Sequence, residues 1–306
     1  MDQQTTASLQ EKAAILSEAL PFMRRYSGSI FVVKYGGSAM GDPKIRQRFA
    51  EDVVLLRQVG IHIVVVHGGG PQIGHMLERL KIKSEFIDGL RVTDAETVEV
   101  VEMVLSGNIN KGLVAAISGA GGLAVGLSGK DGGFVRARPK RGTRRDPGSH
   151  IEEVLDLGFV GEPEKVDARV LRRFIDSGMI PVVAPIGLGA DGATYNINAD
   201  TMAGAIAQAL NAQRLLLLSD VDGILGRDGA LMTDLAHDDA LALIADKTIH
   251  GGMIPKTETC LQAVENGVAA AVIMNGRVPH APLLEIFTET GIGTLIRPPE
   301  TDTYAT

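Results

Sequence analysis

Two stretches, SIFVVKYGGS at residues 29–38 and IHIVVVHGGGP at residues 61–71, decide the fold. Each begins with a short apolar run and ends in adjacent glycines. The apolar runs predict strands at residues 29–34 and 61–66, and strands that are apolar throughout are typically buried on both faces. Pro71 stands at the start of a helical pattern over residues 71–80, a position that favours proline. We therefore expect each strand to end in a glycine loop.

The same alternation of apolar runs and helical patterns continues along the chain. Further strands are predicted at residues 123–127, 179–184, 214–218, 269–274 and 293–296, and helices at residues 43–58, 95–117, 167–177, 201–210, 238–246 and 256–265. Residues 134–161 indicate hairpins around the basic loop RPKRGTRRDPGSH. This alternation predicts an α/β fold with an open, mainly parallel central sheet sandwiched between helices. In such sheets ligands bind beyond the carboxyl ends of the strands.

The first 27 residues form a separate element. Within residues 8–25 the apolar residues recur at steps of four and three, as in an amphipathic helix: Leu9, Ala13, Leu16, Leu20 and Met23. Because this helix precedes the first strand, it either folds back on its own subunit or packs on a neighbouring one. We expect it to be followed by one continuous fold with two lobes, residues 28–190 and 191–306.

Composition excludes several classes of protein. The 306 residues carry a net charge of −7, which argues against non-specific nucleic-acid binding. Cys260 is the single cysteine, so no internal disulfide framework is possible. The amino terminus is acidic and polar rather than basic and apolar, and the longest uncharged stretch is rich in glycine. We expect a cytoplasmic protein that does not enter the membrane.

Two glycine-rich segments approach known nucleotide motifs without matching them. AVGLSGKD at residues 124–131 has Ala124 in place of the first Walker glycine and Asp131 in place of the magnesium-binding hydroxyl. The GxGxxG spacing at residues 187–192 includes Asp191-Gly192, which predicts a turn, and the next predicted helix begins well beyond it. An oxidoreductase with a dinucleotide cofactor is therefore disfavoured.

Four further motifs follow predicted strands or precede predicted helices. They are GLRVT at residues 89–93, YNINAD at 195–200, SDVDGIL at 219–225 and GGMIPK at 251–256. Arg91 is either a surface charge or a planar fork for a carboxylate. Asn198 or Asp200 could simply cap a helix, and SDVDG could be a plain acidic turn. Lys256 stands at a helix start, where a cation is unfavourable unless an anion binds there.

Together with KxGG at residues 34–37 and HGGGP at 67–71, these motifs in this order resemble the amino acid kinase family over residues 29–297. The resemblance implies transfer of a phosphoryl group from ATP, with Mg²⁺, to the side-chain carboxylate of N-acetyl-L-glutamate, the second step of arginine biosynthesis. Another carboxylate or phosphate kinase of the family is the alternative. A non-catalytic amino-acid sensor is disfavoured because both lysines and Asp200 are present.

The resemblance also assigns roles to residues. Lys34, Lys256 and Asp200 are expected to be catalytic, Gly69, Gly70, Arg91, Asn196 and Asn198 to bind the amino-acid substrate, and Gly36, Gly37, Ser219, Asp220 and Lys256 to bind ATP. No residue is assigned as a metal ligand, since Mg²⁺ is expected to bridge the phosphates of ATP.

With its amino-terminal helix, the chain resembles those family members that form hexamers, as trimers of dimers, and are inhibited by arginine. The resemblance therefore implies that the helix links dimers and that L-arginine binds near Phe22, His280, Glu285 and Gly291.

Overall fold

A computed structural model describes residues 3–36, 40–87, 89–145 and 152–299. Its helices are α1 (Gln3–Tyr26), α2 (Pro43–Gln58), α3 (Gly70–Leu80), α4 (Ala95–Glu102), α5 (Asn110–Gly119), α6 (Ala168–Asp176), α7 (Ala199–Leu210), α8 (His237–Ala245), α9 (Met253–Glu265) and α10 (Ala281–Phe287). Its strands are β1 (Ile30–Tyr35), β2 (His62–His67), β3 (Phe86–Ile87), β4 (Leu90–Arg91), β5 (Ala124–Ser128), β6 (Val135–Arg145), β7 (Glu152–Val166), β8 (Ile180–Ala184), β9 (Ile186–Gly189), β10 (Thr194–Ile197), β11 (Arg214–Ser219), β12 (Asp234–Leu235), β13 (Ala271–Asn275) and β14 (Thr294–Ile296).

The central sheet has eight strands in the order β12-β14-β13-β11-β1-β2-β8-β5. Every neighbouring pair is parallel except β13 and β14, which are antiparallel. Alternate residues of β1 enter different core clusters, Phe31 and Val33 on one face and Val32 on the other. Because helices cover both faces, the strands are apolar throughout. The predicted open, mainly parallel sheet is confirmed.

A smaller closed sheet lies beside the carboxyl ends of the central strands. In it β6 and β7 form an antiparallel hairpin, β9 and β10 form another, and the two hairpins join through parallel pairs. The sequence predicted the first hairpin but neither β9 nor β10. The expected lobe boundary after residue 190 falls in the turn between β9 and β10, so β10 packs with elements of the first lobe.

The predicted long helix over residues 95–117 is wrong in one respect. Its middle, Met103–Ile109, is a π-helix between α4 and α5, so the helix widens by one residue per turn there. The run Ala95–Gly119 is long and apolar enough to cross a membrane. In this fold many of its apolar side chains, including Val101, Leu113 and Ile117, are buried in the protein core, whereas Met103 is exposed.

Among the residues of α1 whose side chains the structure describes, 13–26, those that pack on the body of the protein lie near the end of the helix. Tyr26 is buried, packs edge-on against Phe31 and accepts a hydrogen bond of 2.9 Å from Arg214. Earlier in the helix Leu16 and Leu20 are exposed, by 67% and 44%. The apolar stripe predicted from the sequence therefore has no covering surface within its own subunit along this part of the helix.

Candidate active site

The carboxyl ends of β1, β2 and β11 meet at one edge of the central sheet. Lys34, near the end of β1, lies beside Val66 of β2 on one side and Leu217 of β11 on the other. Because parallel strands in register end together, the residues that follow them share this edge. The loops after β1 and β2 are the glycine loops of the sequence, and the loop after β11 begins at Asp220.

Lys34, Asp200 and Lys256 form one cluster at this edge. The Lys34 ammonium nitrogen lies 2.9 Å from Oδ1 of Asp200, and the Lys256 ammonium donates to Oδ2 at 2.8 Å. Lys34 and Asp200 are buried, and the Lys256 side chain is 20% exposed. The three side chains come from β1, α7 and α9, so one carboxylate holds two ammonium groups from distant parts of the chain.

The charges of this cluster favour an anion. Burial alone would raise the pKa of Asp200, but the two ammonium groups outweigh burial and hold that pKa below its ordinary value. Asp200 is therefore ionised, and two positive charges against one negative leave a net positive charge at the cavity. We conclude that the cluster is built to face an anionic ligand.

The structure shows which of Asn198 and Asp200 caps the helix and which contacts the lysines. Asn198 caps α7, since its Oδ1 accepts from the backbone nitrogens of Asp200 at 2.9 Å and Thr201 at 3.1 Å. The carboxylate of Asp200 is thereby free to bind the lysines. Helix α9 begins at Met253, three residues before the predicted start, so Lys256 lies in its first turn.

A cavity of about 480 Å³ opens beside the lysines. Its polar lining is Lys34, Gly68, Gly69, Gly70, Gly89, Arg91, Asn196, Asn198, Asp200 and Lys256, and its apolar lining includes Ile73, Phe86, Leu90, Leu105, Val160, Pro185 and Ile197. All five residues expected to bind the amino-acid substrate line it. A cavity with an apolar wall and a few convergent polar groups has the character of a small-molecule site.

Arg91 is a fixed part of this cavity rather than a surface charge. Its guanidinium donates to the backbone oxygen of Gly70 at 3.1 Å and to Oγ of Ser84, and it lies 4.5 Å from the centre of the Phe86 ring. Burial lowers its pKa from the ordinary value, although an arginine remains charged at neutral pH. Its planar fork is thus oriented in advance for a carboxylate.

Two of the loop glycines, Gly36 and Gly69, have no room for a side chain unless a neighbouring side chain moves. A Cβ on Gly36 would lie 2.7 Å from the Lys34 ammonium, and one on Gly69 would lie 2.5 Å from a methyl group of Ile109. Gly69 also precedes the first residue of α3, whose amino-terminal amides can bind an anion. Gly37, the other glycine expected at ATP, lies outside the described residues.

A second cavity of about 710 Å³ lies beside the loop after β11 and the start of α9. It is lined by Asp220, Val221, Asp222, Gly223, Ile224, Leu225, Gly226, Arg227, Gly229, Lys247, Thr248, Ile249, His250, Met253 and Asn275. Ser219 is buried behind this lining, with its hydroxyl 3.2 Å from Oδ1 of Asp220. Met253, the first residue of α9, lines this cavity, and Lys256 in the same turn lines the 480 Å³ cavity.

The residues expected to bind arginine do not all come together. Phe22, Glu285 and Gly291 line a third cavity of about 580 Å³. His280 does not line it; its Nδ1 instead lies 2.6 Å from the buried carboxylate of Asp52. Burial raises the pKa of Glu285, opposed by backbone hydrogen bonds that its Oε2 accepts from Ile292 and Gly293.

Sequence reasoning missed the groups that support the site. Ser84 and the apolar cavity wall were not named, and His67 was quoted in a motif without a role. Asn110 was also missed, although a polar residue in an apolar helical run was a visible signal. Its side-chain amide donates to the backbone oxygens of Leu127 and Val182, at 3.3 and 2.8 Å, and so lies under the central sheet.

The described residues offer no separate metal centre. Nowhere in that part of the chain do three His, Cys, Asp or Glu side chains gather as a bound metal ion requires. The carboxylate of Asp200 is engaged by two ammonium groups. These residues do not fit a protein-held Mg²⁺, so the ion would be a partner of the nucleotide phosphates.

A cavity at the carboxyl edge of a parallel sheet, with two lysines held by one carboxylate, suits the transfer of a charged group. Comparison with known proteins defines the class. Residues 29–275 match the model of the amino acid kinase family. An acetylglutamate kinase of Gluconobacter oxydans is 62% identical over 94% of this chain and 98% of its own length, and one of Rhodospirillum centenum is 64% identical over 93% of each. The chain therefore belongs to the amino acid kinase family, and within it to the acetylglutamate kinases.

Solved structures agree with this fold. The N-acetylglutamate synthase of Neisseria gonorrhoeae, complexed with coenzyme A and N-acetyl-glutamate, superposes with a TM-score of 0.82 at 27% identity, over 94% of this chain and 64% of that one. A Giardia carbamate kinase superposes with a TM-score of 0.64 at 18% identity, over 89% of this chain and 99% of that one, and at that identity it supports the fold alone.

Proposed function

We propose that the protein transfers the terminal phosphoryl group of ATP to the side-chain carboxylate of N-acetyl-L-glutamate, in arginine biosynthesis. The observation that carries the proposal is the Lys34–Asp200–Lys256 cluster, which lines the 480 Å³ cavity together with Arg91 and Asn196. The names of the relatives, acetylglutamate kinases, support the choice of substrate. The first lobe would bind the amino acid and the second would bind ATP.

The 480 Å³ cavity suits N-acetylglutamate in shape and chemistry. Arg91 and Asn196 would bind the α-carboxylate, and the apolar wall at Leu105 and Val160 would accept the methyl of the acetyl group. The side-chain carboxylate would then extend toward Lys34. Asn198 lines the same cavity, although its Oδ1 is engaged in capping α7.

Phosphoryl transfer here needs charge neutralisation rather than a general base. The attacking carboxylate has a pKa near ~4.3 in water and is already ionised at neutral pH. The obstacle is repulsion between this anion and the triphosphate, and fixed positive groups lower that barrier. Lys34 and Lys256 would neutralise the transferring group, Asp200 would hold both ammonium groups in place, and the amides of Gly36, Gly69 and Gly70 would bind its oxygens.

The 710 Å³ cavity is the proposed ATP site. Asp220 lines it, and Ser219 supports Asp220 from behind. Lys256 would reach the phosphates from the first turn of α9. Mg²⁺ bound to the nucleotide would offset part of the phosphate charge.

The decisive experiment measures ADP release from ATP with N-acetyl-L-glutamate, L-glutamate, L-aspartate and carbamate as parallel acceptors. We expect turnover with N-acetyl-L-glutamate to exceed turnover with each other acceptor by at least ~10²-fold, because a free amino group would place a charge against the apolar wall. Preference for another acceptor would assign the enzyme to a different substrate within the family.

We also propose that L-arginine inhibits the enzyme and that α1 joins dimers into a hexamer. The third cavity contains both acids and cations, among them Glu285 and Arg214, which suits an amino acid with a cationic side chain. The Neisseria gonorrhoeae synthase has also been solved with L-arginine, at 26% identity to this chain over 93% of it. The exposed stripe at Leu16 and Leu20 supports the role of α1.

A further inference from the structure

A fully buried histidine lies directly below the second glycine loop. His67 ends β2, and its ring lines neither of the two cavities proposed for substrates. Its Nδ1 lies 2.9 Å from the backbone oxygen of Gly68, and its Nε2 lies 3.3 Å from Nδ2 of Asn110. The ring therefore connects the glycine loop to the start of α5.

The partners of the His67 ring determine which ring nitrogen carries the proton. The Asn110 nitrogen faces two backbone oxygens, and its oxygen accepts from the Lys111 ammonium at 3.3 Å, so the amide orientation is unambiguous. The Gly68 oxygen beside Nδ1 can only accept, and the Asn110 nitrogen beside Nε2 can only donate. The proton is then on Nδ1, which donates to Gly68.

This hydrogen bond fixes the orientation of one peptide plane. In a trans peptide the carbonyl of one residue and the N–H of the next point in opposite directions, and the described residues include no cis bond. With the Gly68 oxygen held toward the buried His67, the N–H of Gly69 points the other way, toward the cavity that Gly69 lines.

Residues of the π-helix also contact Gly69. Leu105 and Ile109 both lie where a Cβ on Gly69 would be, at 2.6 and 2.5 Å. Leu105 and Asn110 are five residues apart, which is one turn of a π-helix, so Leu105 lies against Gly69 while Asn110 lies against the His67 ring. The wider turn thus supplies an apolar contact to Gly69 and a polar contact to His67.

We infer that His67, with its proton on Nδ1, is a positioning residue that aims the Gly69 N–H at the transferring phosphoryl group. The inference rests on the proposed kinase function and deepens it. His67 touches neither substrate; it acts only through the Gly68–Gly69 peptide. An oriented N–H donor lowers the barrier when it binds the transition state more strongly than the ground state.

Two substitutions at His67 separate this role from a merely structural one. In His67→Asn the side-chain amide can replace Nδ1 and still donate to Gly68, but it does not reach Asn110. In His67→Gln the longer amide can meet Asn110 at the former Nε2 position, and Gly68 loses its donor. Each variant therefore keeps one of the two hydrogen bonds.

The readout is kcat and KM for both substrates, with the wild type measured first. We expect His67→Gln to lower kcat roughly 10²-fold, in the range seen when one oriented donor is lost, with each KM changed less than about threefold. The decrease in kcat for His67→Asn should be at least ~10 times smaller. Equal losses of kcat in the two variants, or losses confined to KM, would overturn the inference.

Two further variants keep the inference testable if the His67 variants do not fold. Asn110→Leu removes the donor that holds the His67 ring at Nε2, and it should lower kcat at least ~5-fold with KM unchanged; unchanged kcat would overturn the inference even if both His67 variants unfold. Ile175→Ala, a buried change in α6 away from the site, should lower stability and leave kcat within about twofold. A wild type without activity on N-acetylglutamate would instead refute the proposed function.

Discussion

Asp200 shows how one residue can organise the proposed reaction. Its carboxylate is buried and holds Lys34 and Lys256 at 2.9 and 2.8 Å. Two long side chains that would otherwise be flexible are thereby fixed before substrate binds, which reduces the reorganisation needed during the reaction. Loss of either lysine would leave Asp200 paired with a single ammonium group and would remove the net positive charge of the cluster.

Replacing either lysine should therefore stop turnover rather than substrate binding. We expect Lys34→Ala and Lys256→Ala each to lower kcat by roughly 10²-fold or more, because a positive charge at the transferring group is lost. Lys165→Ala, an exposed lysine on β7, is the matched control and should retain full activity. Near-normal kcat in both site variants, measured by ADP release, would refute their roles.

A second prediction at this scale concerns His67 and pH. Burial lowers the pKa of its imidazole from 6.5 to about 4. The unfolded chain therefore binds a proton more readily than the folded one between these values, so stability is full above pH 6.5 and falls as the pH is lowered toward 4. This group alone should cost roughly 2 kcal/mol between pH 7 and pH 5.

Urea unfolding at pH 7, 6 and 5 measures this loss. The His67→Asn variant lacks the titrating group, so its free energy of unfolding should fall less over the same interval, by the same roughly 2 kcal/mol. Parallel pH profiles for the two proteins would show that His67 does not titrate in this way.

At the scale of elements, the parts that the sequence predicted well are those with a strong local pattern. Seven of the eight central strands were placed within two residues because they are mainly apolar, whereas β12, only two residues long, was not predicted. Helix α2 was placed at its observed bounds, where Asp42 caps it and Pro43 opens it. Lys256 was found from its position after a glycine pair, although α9 begins earlier because Pro255 is tolerated in a first turn.

Other elements depend on tertiary contacts and were missed for that reason. Strands β9 and β10 have four residues each, too few for a periodic signal, and they are stabilised by β6 and β7. The π-helix leaves no pattern in apolar spacing. The contact of Asp200 with both lysines joins residues far apart in sequence and was inferred only from family resemblance.

Helix α1 carries a prediction of its own. Tyr26 is buried in the body, so deleting residues 1–26 would disturb the fold, and a substitution is the sharper test of assembly. We expect Leu16→Glu to convert the hexamer into dimers, because it places a charge in the exposed apolar stripe. Ala14→Glu, also exposed but displaced from the stripe, should leave the hexamer intact.

Light scattering on purified protein gives the mass of each variant. A hexamer that persists in Leu16→Glu would count against α1 as the link between dimers. A wild-type mass no larger than that of a dimer would refute the proposed hexamer.

At the scale of the whole molecule, the proposed catalytic and regulatory cavities lie at opposite ends of one sheet. The active-site cavity lies beyond the carboxyl ends of the strands, whereas the third cavity is lined by Gln213 and Ala270, at the amino ends of β11 and β13. Strands of five or six residues separate the two sites by roughly 17–20 Å. An inhibitor in the third cavity cannot contact the substrates and must act through the sheet and the elements packed on it.

Inhibition by L-arginine should therefore depend on Glu285 and be reciprocal with substrate. Removing the charge in Glu285→Gln, while keeping an amide oxygen to accept from Ile292 and Gly293, should raise the arginine concentration for half inhibition at least ~10-fold, because a buried charge pair with the guanidinium is lost. His280→Asn should shift this concentration less than about threefold, since His280 faces Asp52 instead.

Linkage requires that N-acetylglutamate weaken arginine binding, measured by calorimetry, by the same factor by which arginine weakens substrate binding. Arginine binding that is equally strong with and without substrate, or a larger effect of His280→Asn than of Glu285→Gln, would place the inhibitor elsewhere.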